Sequence, residues 1–209
     1  MNKIIKTSLL LSLIFAEGVS FAVAPAQVPA TGETSGVAGS NKGVAWPSPR
    51  FVVGSGSTAD CIIDQLTGLM WPKNGIIGFA TYSGTLNPQP DYVNNEPSLN
   101  VLTWVQALTA VANMNSASIK LCGYSDWRLP NQIELKSLVN YGADPITWLD
   151  SQGFKHVQVT GTSGYWSSST YAWNTSYAWL VHFSDGTPGA SSKNASYSHY
   201  YILPVRSGM

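Results

Sequence analysis

The sequence predicts an α+β domain, with two helices in the middle of the chain and a mainly antiparallel twisted sheet. Three observations predict it. Short β-branched runs flank a turn early in the chain, and two stretches of helical spacing follow between Ser98 and Gly142. Period-two alternation then takes over after Gly164. Helices grouped between antiparallel strands, rather than alternating with parallel ones, give the α+β pattern.

The elements follow in order. Lys3 and Lys6 form a positive n-region, and Thr7 to Ala16 (TSLLLSLIFA) is an apolar run. The run is too short to span a bilayer, which takes about 20 residues, and reads as the core of an export signal. Ser20 and Ala22 fit the small-residue cleavage positions, with Ala24 and Ala26 as a second choice. Residues 1–22 are therefore expected to be a signal peptide. Residues 23–49 are rich in Pro, Gly, Ser and Thr without apolar periodicity and are expected to be a flexible linker. Residues 50–209 then form one ligand-binding domain.

Phe51-Val52-Val53 is the first strand. Cys61-Ile62-Ile63 and Leu69-Met70-Trp71 flank Asp64-Gln65-Leu66-Thr67-Gly68, where Asp and Gly supply the turn chemistry of a hairpin. From Pro72 to Pro97 no regular period is seen. Ser98 is placed to cap the first helix, with Val101, Trp104, Val105, Leu108, Val111 and Ala112 as its apolar stripe. The second helix opens at Asn131, with Glu134 completing a capping box. Leu135, Leu138 and Val139 are its buried face, and Gly142 lies past its end. Next, Tyr177, Trp179, Val181 and Phe183 point one way and Ala178, Leu180 and His182 the other. Ser184-Asp185-Gly186 is a turn, and Tyr201 to Arg206 is the last strand.

Composition excludes several function classes. Eleven Lys+Arg balance eleven Asp+Glu, and charged residues make up 11% of the chain, against about 25% in an average domain. Without a basic patch there is no footprint for a phosphate backbone, so nucleic acid is not an expected partner. Nor is membrane insertion expected once the signal is cleaved. Two lone cysteines in an exported chain read as a disulfide, Cys61–Cys122; the competing reading is a reactive thiol or a metal site. His156, His182 and His199 share no ligand spacing, and no G-x-S-x-G elbow exists. No catalytic residue, metal or cofactor is predicted.

The segment Tyr165 to Tyr201 is dense in Tyr, Trp and Ser, with Asp185 and Lys193 its sole charges. Rigid aromatic area beside adaptable hydroxyls and amides is the composition of binding loops. Tyr171, Trp173, Asn174, Tyr177, Tyr197, His199 and Tyr200 are the expected ligand contacts. Trp166, Trp179, Phe183 and Leu203 are expected in the core. Asp126, Trp127 and Arg128 are expected to be structural, fixing a loop by charge-assisted bonds to backbone or to each other.

Four phrases carry a resemblance: Asp64-x-x-Thr67-Gly68-Leu69-Met70-Trp71, Cys122 to Asn131 (CGYSDWRLPN), Tyr165-Trp166-Ser167-Ser168-Ser169, and Pro204-Val205-Arg206. In this order they resemble the Legionella collagen-like adhesin C-terminal domain family, over nearly all of residues 50–208. The resemblance implies a C-type-lectin-like fold, related to formylglycine-generating enzymes and to variable receptor-binding proteins of phage. It implies a surface or secreted binding domain, with sulfated glycans as the ligand of the best-studied adhesin. This chain departs from that adhesin in lacking collagen-like repeats. Lys193 is also the one cation between Tyr165 and Tyr201, too few to read sulfate, so that ligand is not carried over. Asn95-Glu96-Pro97 resembles part of a lectin calcium motif but lacks its later partner.

The expected function is that of an exported, non-enzymatic, adhesin-like module for an extracellular glycan or protein, periplasmic or at the cell surface. Nothing in the composition argues against a homo-oligomer. The alternatives are a formylglycine-generating-type oxidase, which needs free thiols, and a diversified receptor.

Overall fold

Asp64 organises the first hairpin. Strand β2 (Cys61–Asp64) pairs antiparallel with β3 (Leu69–Pro72), and Asp64 lies opposite Leu69. Its carboxylate accepts from the Leu66 N–H and the Thr67 hydroxyl, both at 2.9 Å, which holds the turn. Gly68 closes the turn at φ +69°, a left-handed conformation that suits glycine. The predicted hairpin is present. Strand β1 (Phe51–Val53) pairs with the other side of β2, and the short β7 (Arg206–Ser207) with β3.

The computed structural model describes residues 46–74, 101–158, 164–195, 198 and 200–208. The predicted signal segment, almost all of the linker, Ser98 and the Asn95-Glu96-Pro97 motif lie outside the described residues. So do Tyr197, His199 and nearly all of the Pro72–Pro97 loop.

Helix α1 spans Trp104–Ser116 and is capped by Thr103 rather than Ser98. Thr103 and Gln106 form a reciprocal capping box, with Gln106 N–H bonded to Thr103 Oγ1 and Thr103 N–H to Gln106 Oε1. Its buried residues are Ala107, Val111 and Met114, whereas Val105 and Leu108 are exposed. The predicted stripe is thus rotated. A small residue, Ala107, faces inward and lets the helix approach the sheet. Helix α2 (Gln132–Ser137) has the predicted Asn131–Glu134 capping box and buries Leu135, with Leu138 and Val139 buried just beyond it. It ends sooner than expected, and Gly142 belongs to a separate turn capped by Asn140. A third helix was not predicted. α3 (Pro145–Ser151) carries Asp144 as N-cap and Pro145 in its first turn.

Strands β4 (Gly164–Thr170), β5 (Tyr177–His182) and β6 (Pro188–Ser192) form a second antiparallel sheet. The α+β class holds, but among the described residues with three helices and two sheets of four and three strands instead of one sheet. The predicted last strand is a stitch between them. Tyr200 bridges Leu102, Tyr201 bridges Tyr165, Val205 bridges Arg128, and Arg206 pairs with Met70 on β3.

Alternation along this layer sorts side chains into two cores. Ile62, Trp71, Tyr165, Val181, Leu203 and Val205 pack with Leu135, Leu138 and Leu149 on the α2/α3 face. Met70, Trp166, Ala178, Leu180 and Ile202 pack with Ala107, Val111 and Met114 on the α1 face. Both faces of the strands are therefore covered over most of their length.

Gly164 makes one close contact on the α1 face. A Cβ there would lie 2.7 Å from Leu180 Cδ1 and 2.9 Å from Tyr200 Cδ1. Gly164→Ala is expected to overpack this site by about 1–3 kcal/mol, read as a lowered Tm. A variant melting within a degree of the parent would show that Tyr200 yields without cost.

Candidate functional site

The hairpin between β4 and β5 presents the candidate site. Tyr171 N–H donates to Tyr177 O at 2.9 Å, Asn174 N–H to Tyr171 O at 3.2 Å, and Tyr177 N–H to Asn174 O at 2.9 Å. The Asn174 side chain adds a fourth bond, accepting from Ser176 N–H at 3.1 Å. From just past the end of β6, Lys193 N–H donates to Ser176 O at 2.9 Å. Five hydrogen bonds thus hold the backbone of residues 171–177, and the loop is preorganised.

Trp173 is 89% exposed on this loop, more than any other large apolar side chain among the described residues. Asn174, Thr175 and Ser176, also exposed, line the loop after it. Such an indole loses nothing to solvent by folding and gains nothing from the core, so packing does not explain it.

The sheet beneath continues the aromatic surface. Tyr177 and Trp179 share the α2/α3 face with Val181, but the helices cover this face incompletely. Val181 is fully buried, while Trp179 and Tyr177 are half-buried. Tyr171 meets Trp179 edge-on, centroids 4.9 Å apart and planes at 89°. On β6, Ala190 lies opposite Trp179 and Ser192 opposite Tyr177. The core position expected for Trp179 is corrected, because it lies past the end of helical cover and supports Tyr171.

The structure therefore brings together Tyr171, Trp173, Asn174 and Tyr177, with Trp179 as a member the sequence reading missed. Its signal was parity with Tyr177. Tyr200 is not part of this group. Its ring packs edge-on against Trp166 at 4.9 Å on the opposite, α1 face, with its hydroxyl 3.5 Å from Ser191 Oγ.

Of the two bonding modes expected for the loop-fixing residues, the bond to backbone is present, with Arg128 Nη1 donating to Leu129 O at 3.3 Å. Asp126 and Arg128 do not bond to each other, because each is paired with a different, more distant residue, while Trp127 between them is buried. Asp126 takes both Nε and Nη2 of Arg206, at 2.7 and 3.1 Å, and Arg206 stacks over Tyr124. The bonds from Arg206 hold the Asp126 carboxyl below its usual range. Arg128 forks onto Glu134 at 2.8 and 2.6 Å. Burial pushes the Glu134 carboxyl up, but Arg128 and the Asn131 N–H outweigh it and the net direction is down. Trp127 donates its indole N–H to Leu121 O, and its backbone is held by Asn115. Trp166 is fully buried and donates to Leu102 O at 2.7 Å.

Cys61 and Cys122 form a disulfide with Cα atoms 6.3 Å apart. Among the described residues no three His, Cys, Asp or Glu gather as they would around a metal ion, and no helix is long and apolar enough to cross a membrane.

No curated protein matches the chain. The sequence model of one family, the Lcl C-terminal domain, matches residues 60–206. That match runs from the first hairpin through the Pro204-Val205-Arg206 stitch, so the chain belongs to the Lcl C-terminal domain family.

Proposed function

We propose that this protein is an exported, non-enzymatic binding module that recognises an extracellular glycan or protein through the hairpin end of its β4–β5–β6 sheet. Export rests on Lys3, Lys6, the apolar run Thr7–Ala16 and the small residues at Ser20 and Ala22. Binding rests on one observation above the rest, an almost fully exposed Trp173 on a loop whose backbone is fixed. Rigid aromatic anchors beside exposed amide and hydroxyl groups are what binding loops use, because little entropy is lost on contact. The oxidase alternative needs free thiols, and the Cys61–Cys122 bridge takes up both cysteines of the chain.

The test is cell-surface and glycan-array binding by the exported chain and its Trp173→Ala variant. Loss of an anchor of about 2 kcal/mol should weaken binding roughly thirty-fold. Removing so exposed a side chain should leave stability within about 0.5 kcal/mol. Unchanged binding by a combined Tyr171, Trp173 and Tyr177→Ala variant would move the site elsewhere.

A further inference from the structure

Resting on that reading, we infer that the unit seated on the hairpin end is an uncharged sugar ring, recognised by stacking and hydroxyl bonding and not through sulfate or carboxylate groups. The charge layout carries the argument. Residues 171–177 contain no ionisable group except the two tyrosines. Lys193 lies just past the end of β6, and its ammonium is committed elsewhere. Its Nζ lies 2.9 Å from Thr170 Oγ1 and 4.4 Å from the Trp104 ring centroid. Trp104 packs with the α1-face core, so that ammonium sits across the sheet from Tyr177 and Trp179. Arg128 and Arg206 are each forked onto a carboxylate. Asp185 is held at the far turn by Thr187.

An anionic ligand at this end would shed water without gaining a charge-assisted bond, which is unfavourable. A sugar ring makes no such demand. One face of a pyranose is a patch of C–H groups that an indole covers, and its hydroxyls need both donors and acceptors nearby. Asn174, Thr175 and Ser176 supply both beside Trp173. Trp173 also projects from the surface, as a stacking platform does.

The experiment prints uncharged oligosaccharides beside sulfated and sialylated ones and probes them with the exported chain. Captured glycans are then titrated at 20 mM and 500 mM NaCl as test conditions of about 20 Å and 4 Å screening length. Capture should be confined to uncharged glycans, with affinity changing less than about two-fold between the salts. Lys193→Gln should be neutral, Trp173→Ala should lose more than about ten-fold, and Trp173→Phe should keep most of the binding. Capture limited to sulfated or sialylated glycans, lost at high salt or in Lys193→Gln, overturns the uncharged ligand but leaves a binding module. Cell binding that needs Trp173 while no glycan is captured overturns the sugar in favour of a protein. Glycan binding indifferent to Trp173→Ala overturns both this inference and the site it rests on.

Discussion

Asp64→Ala is expected to lower the melting temperature on the order of 10 °C, more than any surface change in this chain. Asp64 is fully buried and is bonded by four donors: Arg50 Nε at 3.0 Å, Arg50 Nη2 at 2.8 Å, the Leu66 N–H and the Thr67 hydroxyl. Its partner Arg50 is 3% exposed, lies near the rings of Trp46, Phe51 and Trp148, and also donates to Ser137 O at the end of α2. Removing the carboxylate leaves that guanidinium buried without its counter-charge and frees the turn. Breaking a buried pair in this way costs about 3–5 kcal/mol, and a domain of this size loses about 2–4 °C per kcal/mol. The loss comes from stranding a charge, not from any large net worth of the pair. Arg50→Met with Asp64→Leu should therefore melt well above Asp64→Ala. A single variant within about two degrees of the parent, or a double variant worse than the single, would refute the account.

This pair also shows where sequence reading stops. The turn at Asp64 was legible because its partners, Leu66 and Thr67, are local. Arg50 lies fourteen positions away, just before β1, and nothing in its neighbourhood marks it as a partner. The Asn131–Glu134 capping box was legible for the same reason of locality, and Asp144-Pro145 carried an equally local signal for α3 that went unread. Strand β6 is different. Pro-Gly-Ala-Ser-Ser has no strand formers, and pairing with β5 alone makes it a strand.

The aromatic stretch was legible as composition but not as a site. Tyr171, Tyr177 and Tyr200 look alike in sequence. Pairing with Leu102 carries Tyr200 to the α1 face, while parity and the limit of helical cover leave Tyr177 and Trp179 on the other. The phrases that carry the family resemblance are mainly those that build the frame. Asp64 holds a turn, Arg128 N–H bonds Val205 O, Asp126 pairs with Arg206, and buried Ser167 donates to Trp179 O. Trp173 and Asn174 belong to none of those phrases, so the resemblance bears on the scaffold and not on the proposed contacts.

Cys122→Ser is the second large effect, and it separates architecture from chemistry. The bridge joins β2 to the turn after α1, 61 positions apart, and both sulfurs lie in the α1-face core. Closing a loop of that length removes about 4 kcal/mol of unfolded-state entropy in the chain model. That is comparable with much of a small domain's net stability, so Tm should fall by about 8–16 °C. Cys122 sits at φ 52°, and serine in its place carries the same backbone cost, so the variant isolates the crosslink. Cys61→Ser and the double variant should melt close to Cys122→Ser, because one bond can be lost only once. Parent protein under reductant should approach the same value. Binding measured well below the transition should survive in all of them, since the 171–177 loop is held by its own hydrogen bonds and by Lys193. A variant that melts like the parent yet loses binding would make the cysteines chemical rather than architectural, and the binding-module reading would fall with it.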